Sequence, residues 1–474
     1  MSLVSHFSLI IIFGVTVTGV TITKGSPNTP LLFASTPVQI DTTTQDYFFY
    51  FDNAIPLNKD ADIVAIHDDY YGVPWTAFLS QGPLPISWLL RLNATLESVL
   101  SWGKPVYLAY EMLSGPLRTC PAQNATDGPD NQPVVTSFTP CSSCYDFSTI
   151  SNPEAVSLQK AYALYVSFLI EAYLNNNVSL VGINLAAEIN LGAGRICDSN
   201  WFNGVVSFYN GVYLVVKNLL TSRGLGETIP VFPSIQIEAL MGVQSGQACA
   251  NELTGENPSP ALQTCISNGL SLVAPLLKDS FGISTYPPMV TGEFVPKWYL
   301  DSVLQQLSVK DRSSFLIAET GWNRVSTIVN IANGSVGVSV EEHQHQQEII
   351  EQIDPPVDCV LVINSSISLA NEWLSYLINL GIIEKWTFIT WWSDTDLLYE
   401  SSLNTCPCTT PPEFSSSCTF ITAFREIEQL EGGSPAQGEL VAKAFGSMGL
   451  RSLDGETTLL WETIQKARQN RERG

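Results

Sequence analysis

The chain has 474 residues, of which 45% are hydrophobic and 14% charged, and its 45 acids against 22 bases give a net charge of −23. That much apolar content supports a large folded core and argues against a mainly disordered chain, while so acidic a balance disfavours nucleic acid and anionic membranes as partners. A neutral substrate such as a polysaccharide fits this balance, and the length suits one α/β barrel with insertions.

At the N-terminus, an apolar stretch from Leu9 to Val20 follows Met1-Ser2-Leu3-Val4-Ser5-His6-Phe7, a start without Lys or Arg. It has the length of a signal-peptide core and is too short for a comfortable membrane span. Residues 1–25 are therefore expected to be a signal peptide, with an uncleaved anchor as the alternative, and the mature protein is expected to be secreted. The ten cysteines fall mostly in polar stretches: Cys120, Cys141 and Cys144; Cys249 and Cys265; Cys406, Cys408 and Cys418; with Cys197 and Cys359 apart. This clustering suggests disulfides that staple loops, and Cys141-Ser142-Ser143-Cys144 lacks the second Cys-x-x-Cys that a zinc site would need. Acceptor sequences for N-linked sugar stand at Asn93, Asn124, Asn177, Asn333 and Asn364.

Eight short apolar runs read as strands: 46–52, 61–68, 104–110, 179–187, 229–236, 278–286, 313–319 and 385–392. Segments of helical period lie between most of them, at 84–102, 154–175, 201–222, 260–276, 295–308, 340–353 with 367–380, and 418–429. Eight such alternations predict a parallel (β/α)8 TIM barrel over 30–474, a single domain with disulfide-stapled loop insertions. One spacing is irregular, because the eight residues from Asn53 to Asp60 are too few for a full crossover helix between the first two runs. No glycine-rich phosphate loop follows the first run, which argues against a dinucleotide fold. The apolar residues Leu459, Leu460, Trp461 and Ile464 predict a closing helix near the C-terminus.

Two carboxylates end separate runs. The fourth run, Val181-Gly182-Ile183-Asn184-Leu185-Ala186-Ala187, delivers Glu188, and the seventh, Ser314 to Ala318, delivers Glu319, followed at once by Thr320-Gly321-Trp322. In a parallel barrel every strand ends at one mouth, so two acids on the fourth and seventh strands can face one sugar from two sides. One must be held protonated and the other ionised. Tyr286, ending the sixth run, is a candidate donor that keeps a nucleophile anionic. The eighth run ends in Trp391 and Trp392, which alternate in direction, so only one can face the barrel interior and form a floor under a sugar. Trp322 and Trp75 are further candidate stacking surfaces, each with core packing as the alternative. His67, Asp68 and Asp69 close the second run and can bind sugar hydroxyls or orient the two glutamates, with a turn and helix start as the alternative. Glu111, Gln236 and Asp394 end or follow the third, fifth and eighth runs as hydroxyl readers. His343 and His345 are two apart in a segment of helical period and face different ways, so no metal site is expected, and no cofactor.

The strand-end glutamates, the string Glu319-Thr320-Gly321-Trp322 and the aromatic eighth run resemble the clan A glycoside hydrolases, with local similarity to family 17 β-glucanases and family 53 β-galactanases. The resemblance implies a (β/α)8 barrel that cleaves β-linked poly- or oligosaccharides with retention, Glu319 as nucleophile and Glu188 as acid/base. In that pattern an Asn commonly precedes the acid/base, and here Ala187 stands in its place. The expected partner is a carbohydrate, with no nucleic acid and no membrane insertion once the leader is removed, and the protein is expected to be a monomer. Two other classes stay open: a glycan-binding barrel at the cell surface or wall that does not cut, and a disulfide-rich structural protein without a sugar site.

Overall fold

The computed structural model describes residues 31–35, 61–68, 75–110, 126–127, 133–134, 153–190, 199–240, 257–276, 278, 280–287, 298–307, 315–330, 336–339, 360–392, 444, 446–452 and 456–472. Eight parallel strands close into a barrel: β1 Leu32–Ser35, β2 Ile63–Asp68, β3 Val106–Tyr110, β4 Leu180–Ala186, β5 Val231–Gln236, β6 Phe281–Thr285, β7 Phe315–Thr320 and β8 Phe388–Trp391. The ring runs in chain order and is shut by β1 pairing with both β2 and β8. The helices are α1 Trp75–Ser80, α2 Ile86–Trp102, α3 Pro153–Asn175, α4 Ser199–Ser222, α5 Ile237–Leu240, α6 Pro260–Val273, α7 Tyr299–Leu304, α8 Ile367–Glu384 and α9 Leu459–Glu472. None of them is long and apolar enough to cross a membrane.

The strand sequences are nearly continuous apolar runs because both faces of a parallel sheet are covered. Within each run the two faces still separate. Ala34, Ile63, Ala65, Tyr107, Ala109, Val181, Phe232, Leu316, Ala318 and Phe388 fill the barrel interior. Phe33, Val64, Ile66, Leu108, Ile183, Ile235, Ile283, Phe315, Ile317 and Ile389 join the layer between strands and helices. The interior is aromatic: the Tyr107 ring stacks on Phe232 at 6.0 Å and leans on Phe388 at 5.1 Å. Gly282 has no room for a side chain, because a Cβ would stand 2.8 Å from the Ala318 Cβ, 2.9 Å from that of Ser234 and 3.1 Å from the Phe232 ring.

Helix ends follow local chemistry. α2 stops at Gly103 in the left-handed region, whose N–H caps the Leu100 carbonyl at 3.2 Å. α6 begins with Ser259 accepting from the Leu262 N–H at 3.1 Å and Pro260 at its first turn, and α8 begins with Ser366 accepting from Leu369. α9 closes the molecule where the C-terminal apolar pattern predicts a helix. Its Arg468 pairs with Asp62 at 2.7 Å and lies over the rings of Trp461 and Phe33, and Asp62 in turn accepts from the Phe33 N–H.

Two sequence expectations need correction. The first place in the barrel belongs to Leu32–Ser35, not to 46–52, which lies outside the described residues; this also removes the crossover that was too short, because 27 residues now separate the first two strands. After β7 the chain forms an antiparallel three-stranded sheet, Val336–Ser339, Val325–Asn330 and Val360–Ser366, with Val325–Asn330 in the middle. No strand was expected there. His343 and His345 lie outside the described residues, as does the segment 418–429. Among the cysteines Cys265, on α6, is described and is disulfide-bonded; the others lie outside. Asn177 is exposed in a left-handed turn before β4, whereas Asn93 sits inside α2 with its side-chain oxygen buried.

Candidate active site

The C-terminal ends of the strands meet at one mouth, and alternation decides which side chains enter it. On β2, Ile63 and Ala65 face inward, and so therefore does His67; on β5, Phe232 and Ser234 are followed inward by Gln236; on β6, Gly282 and Ser284 are followed by Tyr286. On β8, Phe388 faces in and Trp391 out, which leaves Trp392 for the mouth. Its ring meets His67 edge-on at 5.7 Å.

Glu319 enters the mouth through a bulge. Leu316 and Ala318 already point inward, so strict alternation would turn residue 319 toward the helices. The register with β6 shifts here: Ile317 lies opposite Ile283, but Glu319 lies opposite Ser284. The register with β8 shifts at the same place. One extra residue in β7 thus turns Glu319 inward and Thr320 outward, as bulges beside functional sites do. Thr320 then donates to the Thr285 carbonyl at 2.7 Å and accepts from Trp373 Nε1 at 3.1 Å. Gly321 must follow without a side chain, because a Cβ would reach within 2.6 Å of Met448 Sδ and 3.3 Å of both Trp392 and the Tyr286 ring.

Glu188 arrives by a different route. Asn184 sits inside the barrel, bonded to Tyr107 and Ser234, and its side-chain oxygen accepts from the Ala186 N–H at 3.2 Å, which tightens the end of β4. The chain then turns at Glu188, whose φ of 48° is left-handed, a conformation that costs a side-chain-bearing residue about 1–2 kcal/mol. The Glu188 N–H is held by Ser234 Oγ at 3.0 Å, and the next turn is locked by Asn190, which accepts from the Gln236 N–H and donates to its carbonyl.

Both carboxylates are gripped from the same strand. Ser284 Oγ donates to Glu188 Oε1, and Tyr286 Oη donates to Glu319 Oε1. Ser284 and Tyr286 are two apart and project to the same side, so the two carboxylates are held from neighbouring inward positions. The second oxygen of Glu319 faces His67 Nδ1 at 3.4 Å.

Glu319 is 7% exposed, and Glu188 is partly exposed. Burial pushes the Glu319 carboxyl from 4.5 up to about 7, and the Tyr286 hydrogen bond pulls it part of the way back. Tyr286 is thus the donor expected from the sequence, but burial outweighs it. Tyr107 lies below in the barrel, where desolvation and the nearby Glu319 charge hold its hydroxyl neutral. For Glu319 to act as a nucleophile it must be ionised, and in that role kcat/KM is expected to rise as pH climbs through about 7 and to fall below it. Tyr286→Phe removes a donor that favours the ionised form. The acidic limb of kcat/KM, followed from pH 5 to 9, should then move up by about one pH unit, roughly a tenfold loss on that limb. An unmoved limb would show that Glu319 does not set it.

The other expected site residues divide. Trp391 points away from the mouth, and its Nε1 donates to the Met448 carbonyl at 2.7 Å. Trp322 is 1% exposed, donates to Ser365 Oγ and packs on Trp373, so its ring belongs to the core alternative and offers no face to a ligand. The side chains of Asp68 and Trp75, and residues Asp69, Glu111 and Asp394, lie outside the described residues. Sequence reading missed Ser284 and Ser234, although the alternation in Gly282-Ile283-Ser284-Thr285-Tyr286 places Ser284 on the Tyr286 face. Among the described residues no group of three or more His, Cys, Asp or Glu comes together to hold a metal ion.

No protein-family profile and no curated protein matches the chain. Solved structures do. A GH53 catalytic domain from Ignisphaera aggregans is 12% identical, with 97% of this chain and 99% of that one aligned and a TM-score of 0.48. An exo-β-1,4-mannosidase from Opitutaceae bacterium strain TAV5 is also 12% identical, over 95% of this chain and 63% of that one, at 0.47. A structure from a study of two fungal β-1,4-galactanases is 12% identical over 92% and 100%, at 0.41. The barrel itself is established by the closed strand order.

Proposed function

We propose that this protein is a secreted retaining β-glycoside hydrolase. The observation that carries the reading is the pairing of Glu188 and Glu319 on Ser284 and Tyr286, two inward positions of one strand at the barrel mouth. In the first step a Glu319 oxygen bonds the anomeric carbon as the bond to the leaving oxygen breaks, and that oxygen takes the proton of Glu188. In the second step Glu188 removes a proton from water, the water oxygen bonds the anomeric carbon, and Glu319 leaves as a carboxylate. Tyr286 supports Glu319 as the nucleophile because its hydroxyl favours the ionised carboxyl. Trp392 and His67 line the wall nearest Glu319, where an apolar sugar face and its hydroxyls would meet them.

Ala187 favours a second reading, a barrel that binds glycans without cutting them. Its methyl offers no hydrogen bond where an Asn would reach the sugar, and its N–H is spent on the Tyr110 carbonyl at 2.7 Å. A reducing-sugar assay over β-1,3- and β-1,4-glucan, β-1,4-galactan and β-1,4-mannan between pH 5 and 8 separates the two. Product that depends on both glutamates supports hydrolysis; saturable binding with no product supports the second reading.

A further inference from the structure

A third glutamate lies behind the pair. Glu238, on the short helix α5 just past β5, has no exposed surface. Its Oε1 accepts three hydrogen bonds: from Thr285 Oγ1 at 2.7 Å, from the Tyr286 N–H at 3.0 Å and from Tyr299 Oη at 2.7 Å. Its Oε2 has no hydrogen-bond partner among the described residues. Burial pushes this carboxyl toward the neutral form, and the hydrogen bonds it accepts offset part of that cost.

The three donors indicate the role of Glu238. β6 ends at Thr285, so the Tyr286 N–H has left the ladder and needs another acceptor. Glu238 provides it. Thr285 and Tyr299 fix Glu238 in turn. The Thr285 carbonyl accepts from Thr320 beside the bulge that turns Glu319 inward, Thr320 accepts from Trp373, and Trp373 meets the Tyr299 ring edge-on at 6.2 Å. On the helix side, this network thus joins the ends of β6 and β7. On the barrel side, the same two strand ends carry Tyr286 and Glu319.

We infer that Glu238 is a positioning residue: by holding the backbone of Tyr286 beyond the end of β6, it aims the Tyr286 hydroxyl at Glu319. The inference rests on Glu319 being the nucleophile, but its test reads titration, not turnover, so a protein that cleaves no glycoside could still pass or fail it. The ionisable groups facing Glu319 among the described residues are Tyr286, His67 and, below, Tyr107, with Glu188 beside it across Ser284.

The experiment is a 13C NMR titration of the full-length protein labelled at the glutamate carboxyl carbons, with the Glu319 signal assigned by its loss in Glu319→Gln. Tyr286→Phe sets the scale, with an upward shift of about one pH unit in the Glu319 midpoint. Glu238→Met keeps the volume but removes the acceptor. It should shift Glu319 upward by at least half as much, and the double variant Glu238→Met/Tyr286→Phe should go no further than Tyr286→Phe alone. Glu238→Gln, which keeps a carbonyl for the same donors, should restore the wild-type midpoint. If the Met variant does not fold, Glu238→Asp, which withdraws the carboxyl by one methylene, should give the same upward shift. A Glu319 midpoint that stays at the wild-type value in the Met or Asp variant, or that shifts additively with Tyr286→Phe, would overturn the inference.

Discussion

Glu319→Gln is expected to lower kcat on the best β-linked substrate by on the order of 10^4-fold or more and, at the same time, to make the folded protein more stable at pH 8. Under the proposed mechanism the loss of rate follows from the loss of the attacking oxygen, which no neighbouring group replaces: His67 and Tyr286 both point at Glu319, not past it. The gain in stability follows from linkage. The folded state raises the Glu319 carboxyl from 4.5 to about 7, so folding favours its protonated form. The stability this provides is fully present below pH 4.5 and is lost as pH rises through about 7. A rise of that size is worth roughly 3 kcal/mol as an upper bound. Glutamine fills the same space and never ionises, so it escapes the loss. Urea unfolding at pH 4 and pH 8 should show the variant ahead of the wild type at the higher pH and level with it at the lower. Equal stability at both would mean that Glu319 ionises in the protein as freely as it does in water.

Glu188→Ala is expected to show a second, different defect. In its proposed role as acid/base, Glu188 assists departure of the leaving group, so kcat should fall by about 10^2 to 10^4 on natural polysaccharides. Aryl glycosides with good leaving groups need little protonation, and on these the first step should remain fast while the glycosyl-enzyme accumulates. Azide, which needs no general base, should restore turnover and give a β-glycosyl azide of retained configuration. A uniform loss on every substrate, with no response to azide, would instead mean that Glu188 serves position or folding. The left-handed backbone at Glu188 gives that outcome a physical basis, and the azide arm distinguishes the two.

The part of the fold legible in the sequence was the part with sustained apolar runs. β2 to β6 and β8 fall within their expected segments, and β7 passes the end of its own by one residue, Thr320, because parallel strands covered on both faces carry little but apolar residues. β1 was missed because a four-residue strand, Leu32–Ser35, competes poorly on sequence grounds with the aromatic run at 46–52. The three-stranded sheet after β7 was missed because Ser, Thr, Asn and Gly interrupt the apolar pattern of its strands.

The same limit governs the site. Strand ends give Glu188 and Glu319, and period two gives His67, Gln236, Tyr286 and the opposite directions of Trp391 and Trp392. Period two also turns Glu319 the wrong way, since the β7 bulge is a property of the ladder with its neighbours and leaves no mark in the letters. Glu238 gives no warning either. It reads as an ordinary acid in the first turn of a helix until β6 is placed beside it.

The most direct test of the central claim is covalent trapping. The protein is incubated with a panel of activated 2-deoxy-2-fluoro-β-glycosides, the glycosyl-enzyme is digested, and the labelled peptide is sequenced by mass spectrometry. A single fluoroglycosyl group is expected on Glu319, absent in Glu319→Gln and formed more slowly in Tyr286→Phe. A label on Glu188 or on a residue away from the barrel mouth would contradict it, as would cleavage of natural substrate with inverted configuration at the anomeric carbon.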